Sequence, residues 1–241
     1  MKFFVFYIAT FIGHFIFSED ALRSECKDEL ISIVKEYNSR VKNVGSNNVI
    51  YVHYKVNTIH RKNVNKAGIQ EVKAYIGKEK SKVINDYTEI YSNNEYTISV
   101  MPKDKVMLIT NLPKNRDTEW RNKLSLSMLD SIFIYYYVKE CTSKNNITHI
   151  SLYPTSNAKG KFNVNSVEIT LNENQRMLNS VKMNMGNKGD IQSMQMEYLA
   201  FEEKSMATVS FPSLPDGFVK NGKPSEKFKS YKIIDKTKKK S

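Results

Sequence analysis

Val49-Ile50-Tyr51-Val52-His53-Tyr54-Lys55-Val56 is the stretch on which the reading of the fold turns. Ile50, Val52, Tyr54 and Val56 alternate with Tyr51, His53 and Lys55, the period of two expected of a strand with one dry face. Just upstream the period is different. From Ala21 to Asn43, apolar Leu22, Cys26, Leu30, Ile33, Tyr37 and Val41 recur at steps of three or four with charged residues between them. That predicts a helix ending near Gly45. Downstream, Val72, Ala74 and Ile76 form a second alternating set, Val83 to Tyr91 a third, and Tyr96, Ile98 and Val100 a fourth. The fourth turns at Met101-Pro102-Lys103-Asp104 into Val106 and Leu108, as in an antiparallel meander.

Between Arg116 and Thr142 the apolar steps lengthen again through Trp120, Leu124, Met128, Leu129, Ile132, Phe133 and Tyr136, with no proline or glycine, which predicts a second helix. Strands are expected to resume at Ile147 to Tyr153, Ser166 to Leu171, Leu178 to Met185, Ile191 to Phe201 and Ala207 to Phe211. Turn-prone pieces such as Asn157 to Gly160 and Gly186 to Asp190 separate them. Pro212 marks a boundary near residue 213, so residues 19–212 read as one domain and 213–241 as a basic, disordered tail. A strongly curved antiparallel sheet hides its concave face only by closing or by accepting a plug, and two apolar helices are at hand.

At the N-terminus, Lys2 precedes an apolar run from Phe3 to Phe17 that stops at Ser18-Glu19-Asp20. Residues 1–18 read as a signal peptide, with an uncleaved anchor as the alternative. Cys26, behind Arg23-Ser24-Glu25, is too far along for a lipidated cysteine. The expected product is exported, periplasmic and soluble. Its net charge of +12, with Lys227, Lys229, Lys232, Lys236, Lys238, Lys239 and Lys240 crowded at the end, favours an anionic surface. An exported chain meets phospholipid head groups more often than nucleic acid, so no nucleic-acid partner is expected; a merely solvated tail is the other reading. The two cysteines, Cys26 and Cys141, both fall in segments that read as helices. They are either a disulfide clipping the two together or two buried thiols.

Met183 and Met185, then Met194 and Met196, sit at strand spacing on either side of the Gly186 to Asp190 turn and place a flexible apolar patch across a hairpin. Ordinary core packing and a soft thioether site for Cu(I) are the competing readings; no metal is expected. Phe133, Tyr135, Tyr136 and Tyr137 cannot all face inward from a helix. Catalysis finds little support. His53, His60 and His149 lie in no hydrolase or metalloprotease pattern, and Glu202-Glu203 point to opposite sides of a strand. The chain reads as non-catalytic and without a cofactor.

The order of elements resembles the periplasmic outer-membrane lipoprotein carriers, the LolA-like and LolB-like proteins. The likeness is carried by the helix Ala21 to Asn43 leading into Val49 to Val56, the hairpin Tyr96 to Ile109, and the series from Ile150-Ser151-Leu152-Tyr153-Pro154 through Val167-Glu168-Ile169-Thr170-Leu171. It implies an α+β fold: a half-open antiparallel β-barrel of about ten to eleven strands with two helices lidding the concave face. It further implies an apolar surface for a lipid, a lipoprotein acyl chain or another apolar ligand, admitted by a shifting helix lid. The expected lining is Ile50, Val52, Tyr54, Val56, Tyr96, Ile98, Val100, Met183, Met185, Met194 and Met196. Arg61 is a candidate for a ligand-gating basic residue, but no local motif fixes it. The alternative is a structural or protein-interaction module of the cell envelope with a fully packed barrel, its partner unidentified.

Overall fold

A computed structural model describes residues 24–111, 133–158 and 162–237, the side chains of 63–67 excepted. Helix α1, residues 24–42, buries Cys26, Leu30 and Ile33, the inward positions of its three-to-four repeat, and leaves Lys27, Asp28 and Lys35 on its outer side. It stops where the Asn43 N–H closes a last bond to the Ser39 carbonyl at 2.9 Å and Val44 turns inward.

The strands are β1 (Asn48–His60), β2 (Asn63–Ile76), β3 (Ser81–Asn85), β4 (Glu89–Ser92), β5 (Tyr96–Met101) and β6 (Val106–Asn111), then β7 (Tyr136–Lys144), β8 (Ile147–Pro154), β9 (Val164–Asn172), β10 (Met177–Met185) and β11 (Ile191–Ser205). Two short strands, β12 (Val219–Lys220) and β13 (Lys223–Pro224), form a ribbon of their own, and β14 (Lys232–Asp235) follows. The main sheet has twelve strands in the order β14-β6-β5-β4-β3-β2-β1-β11-β10-β9-β8-β7. It is two meanders joined through the antiparallel pair β1 and β11, with β14 added parallel to β6. The barrel is open, because β7 and β14 are edges rather than neighbours.

Three elements differ from the sequence reading. The segment expected to be helical to Thr142 is helical at 133–135 but extended from Tyr136, where β7 pairs with β8 along its whole length. The hairpin turn is Asn145-Asn146, both at positive φ (54° and 61°), a conformation that asparagine tolerates and that suits a tight two-residue turn. Residues 116–132 of that expected helix lie outside the described residues, as do residues 1–18. Second, Val83 to Tyr91 is two strands, split where the Asn85 side chain accepts the N–H groups of Tyr87 and Thr88 at 2.9 and 2.8 Å and bends the chain. Third, the strand expected at Ala207 to Phe211 is replaced by a single 3-10 turn, Met206–Thr208, capped by the Ser205 hydroxyl.

Side chains of paired residues share a face of a sheet, so the register shows where the core lies. Ile150 opposes Ile169, Ile169 opposes Val181, Val181 opposes Met196 and Met196 opposes Val56. Across β2 the same face continues through Gln70, Val72 and Ala74 to Val83, Ile90 and Ser99. This is the concave face, covered by α1 over β7 to β11. There Cys26, Leu30 and Ile33 pack against Tyr136, Cys141, Ile150, Leu152, Ile169, Leu171 and Leu178. Ile98 and Val100, the neighbours of Ser99, point the other way. With Tyr91, Met107 and Ile109 they form a second core on the convex face.

That second core corrects the expectation of a disordered tail from residue 213. Phe218 is fully buried, in ring contact with Tyr91 at 4.9 Å and Phe228 at 5.1 Å, and β14 completes the sheet edge. The lysine-rich composition masks two aromatic anchors; the charges occupy exposed positions such as Lys227 and Lys229 around them. Phe218→Ala is expected to cost about 3–5 kcal/mol in equilibrium urea unfolding. An unchanged midpoint would mean that the segment is detached in solution.

Candidate ligand-binding face

Along the concave face the eleven residues expected to line a ligand site divide. Ile50, Val52, Tyr54 and Val56 share the face with Met194 and Met196 through the β1 and β11 register, and Met183 opposes Met194 directly. Met185 follows Met183 by two positions and faces the same way. Tyr96, Ile98 and Val100 are on the convex face, packed under Phe218 and Phe228, and are separated from the others by the thickness of the sheet. Alternation within each strand is legible in the sequence, but the face each set presents depends on register summed over several strands.

Beyond the part covered by α1 the concave face remains apolar. Val52, Val56, Val83, Ile90 and Leu108 occupy it in a half-buried state, whereas Ile150, Leu152 and Leu171 under α1 are fully buried. The opposite surface of β8 to β11 is polar: His149, Ser151, Glu168, Thr170, Lys182 and Gln195 line a shallow groove of about 380 Å³ there. One side of this half of the sheet is dry and the other wet.

Tethers along its length hold α1. Near its start, Cys26 is disulfide-bonded to Cys141. The bridge joins a helix to a strand, not two helices, because Cys141 lies on β7. In its middle, Arg176 from the β9–β10 turn donates to Glu29 at 3.2 Å, to Ser32 Oγ at 2.7 Å and to Glu36 at 2.8 Å. Near its end, Tyr37 stacks on Phe201 with ring centroids 4.0 Å apart and accepts the Leu178 N–H at 2.9 Å. These tethers pin α1 over β7 to β11, on the concave face.

Arg61 is likewise committed to structure. Its guanidinium donates to the carbonyls of Met185 (3.1 Å), Gly186 and Gly189 (3.2 Å), and its N–H to the Asp190 carbonyl (2.7 Å), so it clamps the β10–β11 turn to the β1–β2 turn. His53 meets Glu71 at 2.5 Å on the convex face, and His149 meets Thr170 at 3.2 Å. Among the described residues no cluster of histidine, cysteine and carboxylate side chains could hold a metal ion, and no helix is long and apolar enough to cross a membrane.

No family model matches the chain, and no curated protein matches it. Several solved structures are similar to it. An uncharacterized conserved protein from Thermus thermophilus aligns at 8% identity over 84% of this chain and 98% of that one, TM-score 0.42. The lipoprotein LppX of Mycobacterium tuberculosis aligns at 12% over 71% and 94%, TM-score 0.37. A LolA superfamily protein of Nitrosomonas europaea aligns at 10% over 75% and 94%, TM-score 0.29.

The phenols on the concave face are unusually weak acids. Burial pushes Tyr37 up to about 12, against the pull of the Leu178 N–H, and burial also raises Tyr54 and Tyr198. A raised pKa in the folded state means that the unfolded chain releases its phenol protons first. This contribution to stability is intact below pH 10 and is lost as pH rises through about 12. Tyrosinate absorbance should therefore lag behind that of the denatured chain in alkaline titration. Cys141→Ala, by opening the loop that the bridge closes across a separation of 115 residues, should lower stability by about 3–5 kcal/mol in thermal unfolding without reductant. In fully reduced samples the gap between variant and parent should close.

Proposed function

We propose that the chain is an exported, non-catalytic carrier or binding module of the cell envelope that holds a lipid acyl chain, or another apolar ligand, against the concave face of its open barrel. The observation that carries this reading is the half-buried apolar tract of Val52, Val56, Val83, Ile90 and Leu108 beside the tethered helix α1. Burying apolar area there stabilises a complex at about 25 cal/mol per Å². Met183, Met194 and Met196 border the same tract with deformable thioether side chains, which adapt to chains of different shape. Catalysis has no support in the surroundings of His53 and His149, each of which is engaged with one neighbouring side chain.

Export is supported by the apolar run Phe3 to Phe17 behind Lys2, and a role at anionic membranes by the net charge of +12. Because α1 is tethered, the ligand is taken up on the β1 to β6 side of the face. The test is native mass spectrometry and lipid extraction of protein recovered from a bacterial periplasm, together with displacement of a fluorescent fatty-acid probe. Co-purifying lipid and saturable probe binding are expected, and Met196→Asp should weaken the probe at least about tenfold by placing a charge in the apolar tract. Absence of both lipid and probe binding overturns the proposal and leaves the envelope interaction module as the reading.

A further inference from the structure

The convex face of β8 to β11 carries a polar groove that the carrier reading leaves unused. Two rows of side chains cross it. His149 opposes Thr170 and Thr170 opposes Ser180; two residues along each strand, Ser151 opposes Glu168, Glu168 opposes Lys182 and Lys182 opposes Gln195. These positions alternate with Ile150, Ile169 and Val181, which pack into the core under α1, so both rows are on the outer surface of the sheet. Together they line one groove of about 380 Å³, a volume within the range of small-ligand sites.

On the same face an aromatic pair stands beside the groove. Tyr153 is two residues beyond Ser151 on β8, about 7 Å along the strand, and Tyr137 opposes it from β7. No side chain of β8 comes between, because Leu152 faces the concave core. Tyr137 is 49% exposed, whereas its neighbour Tyr136 is buried under α1. The Lys139 ammonium lies 4.4 Å from the centroid of the Tyr153 ring.

The groups of the groove decide what it can hold. Ile150 and Ile169, the apolar members of its lining, turn their side chains to the other face, so an acyl chain finds nothing there to cover. Lys182 and Glu168 meet at 3.3 Å, and Glu168 also accepts the Asn184 amide at 2.6 Å. An entering ion of either sign would meet a like charge beside the opposite one, so neither sign is favoured. His149 Nδ1 and Thr170 Oγ1 engage one another at 3.2 Å, and the Gln195 amide donates to Glu197 at 3.2 Å. That leaves a ligand the Ser151 and Ser180 hydroxyls, His149 Nε2 and the Gln195 carbonyl oxygen, a mixture of donors and acceptors. Sugar hydroxyls need both kinds of partner, and the C–H faces of a sugar ring lie against the electron-rich faces of aromatic rings.

We infer that this groove is a saccharide site that takes a neutral pyranose glycan, one ring among the polar rows and the next against Tyr137. The site is on the opposite face of the sheet from the apolar tract and stands independently of the carrier reading.

The experiment is calorimetric titration of the wild-type chain with maltotriose and with chitotriose, repeated with Tyr137→Ala, Tyr137→Phe and Ser180→Tyr, and with inorganic phosphate and spermidine as charged competitors. Saturable binding of at least one trisaccharide is expected, with no displacement by either charged competitor. Tyr137→Ala should weaken it about fivefold and Tyr137→Phe, which keeps the ring, by less than about twofold. Ser180→Tyr, which fills the groove, should abolish binding while its unfolding midpoint shows that the chain still folds. Absence of binding by both sugars up to about 10 mM, an affinity too weak to mark a site, overturns the inference, as does binding that Ser180→Tyr leaves intact. Displacement by phosphate or spermidine overturns the neutral character of the ligand. An unchanged affinity in Tyr137→Ala, or an equal loss in Tyr137→Phe, overturns the contact with the aromatic ring.

Discussion

The pairing of β1 with β11 is the interaction on which the rest of the structure depends. It runs from Asn48 opposite Ser205 to His60 opposite Ile191, and it is the seam between two meanders that are otherwise local in sequence. Its register decides which side chains α1 covers. A slip of one residue would carry His53 and Lys55 onto the concave face in place of Tyr54 and Val56. The register shift between His53 and Tyr54 is part of the same design: Tyr54 pairs with Tyr198 but His53 with Ala200, so Leu199 is left over and largely exposed. The extra residue changes which positions of β11 face inward. Met194, Met196 and Tyr198 face inward below the shift and Phe201 above it, where Tyr37 stacks.

From that seam the two halves of the sheet solve the burial problem differently. Strands β8 to β10 are dry on one side and wet on the other, as usual for antiparallel sheets. Strands β4 to β6 carry apolar residues on both sides: Ile90 and Leu108 on the concave face, Ile98, Val100, Met107 and Ile109 on the convex one. Such strands need two covers. The convex cover is residues 214–231 with Phe218 and Phe228 as anchors, and the same segment then supplies β14 to shield the β6 edge.

Much of this is legible in the sequence where local periodicity and tertiary demand coincide. The helix of Cys26, Leu30 and Ile33, the alternation of β1 and the turn from Met101 to Asp104 all fall where the pattern puts them. The failures share one cause, which is that a pattern is read along the chain while cores form across it. Tyr136 and Val138 fit either a helical or an extended spacing, and pairing with β8 decides for the strand. The Asn145-Asn146 turn is the available signal, and a helix drawn as far as Thr142 obscures the strand that leads into it. In the C-terminal segment the lysines dominate the composition, although two phenylalanines suffice to seat a short chain on an apolar sheet. Ile98 and Val100 do form a dry face, but assigning that face to one side of the sheet needs several strand pairings that no single stretch encodes.

The tethering of α1 bears on how such a face could take up a ligand on the proposed reading. Opening the barrel by lifting the helix would expose the core formed by Leu30, Ile33, Ile150, Leu152 and Leu171 while Cys26 still held it to β7. A binding-competent state reached that way would be sparsely populated, and its rarity would subtract directly from the affinity. The half-buried tract from Val52 to Leu108 imposes no such cost, because its residues lie outside the packing of α1. On the proposed carrier reading, an accessible apolar tract beside a tethered helix needs no rearrangement to be covered, and the entropy of binding would fall on the ligand chain rather than on the protein. The covalent and ionic tethers on one half of the sheet and the looser apolar tract on the other are thus two sides of a single arrangement: the first keeps the surface in shape while the second is free to be covered.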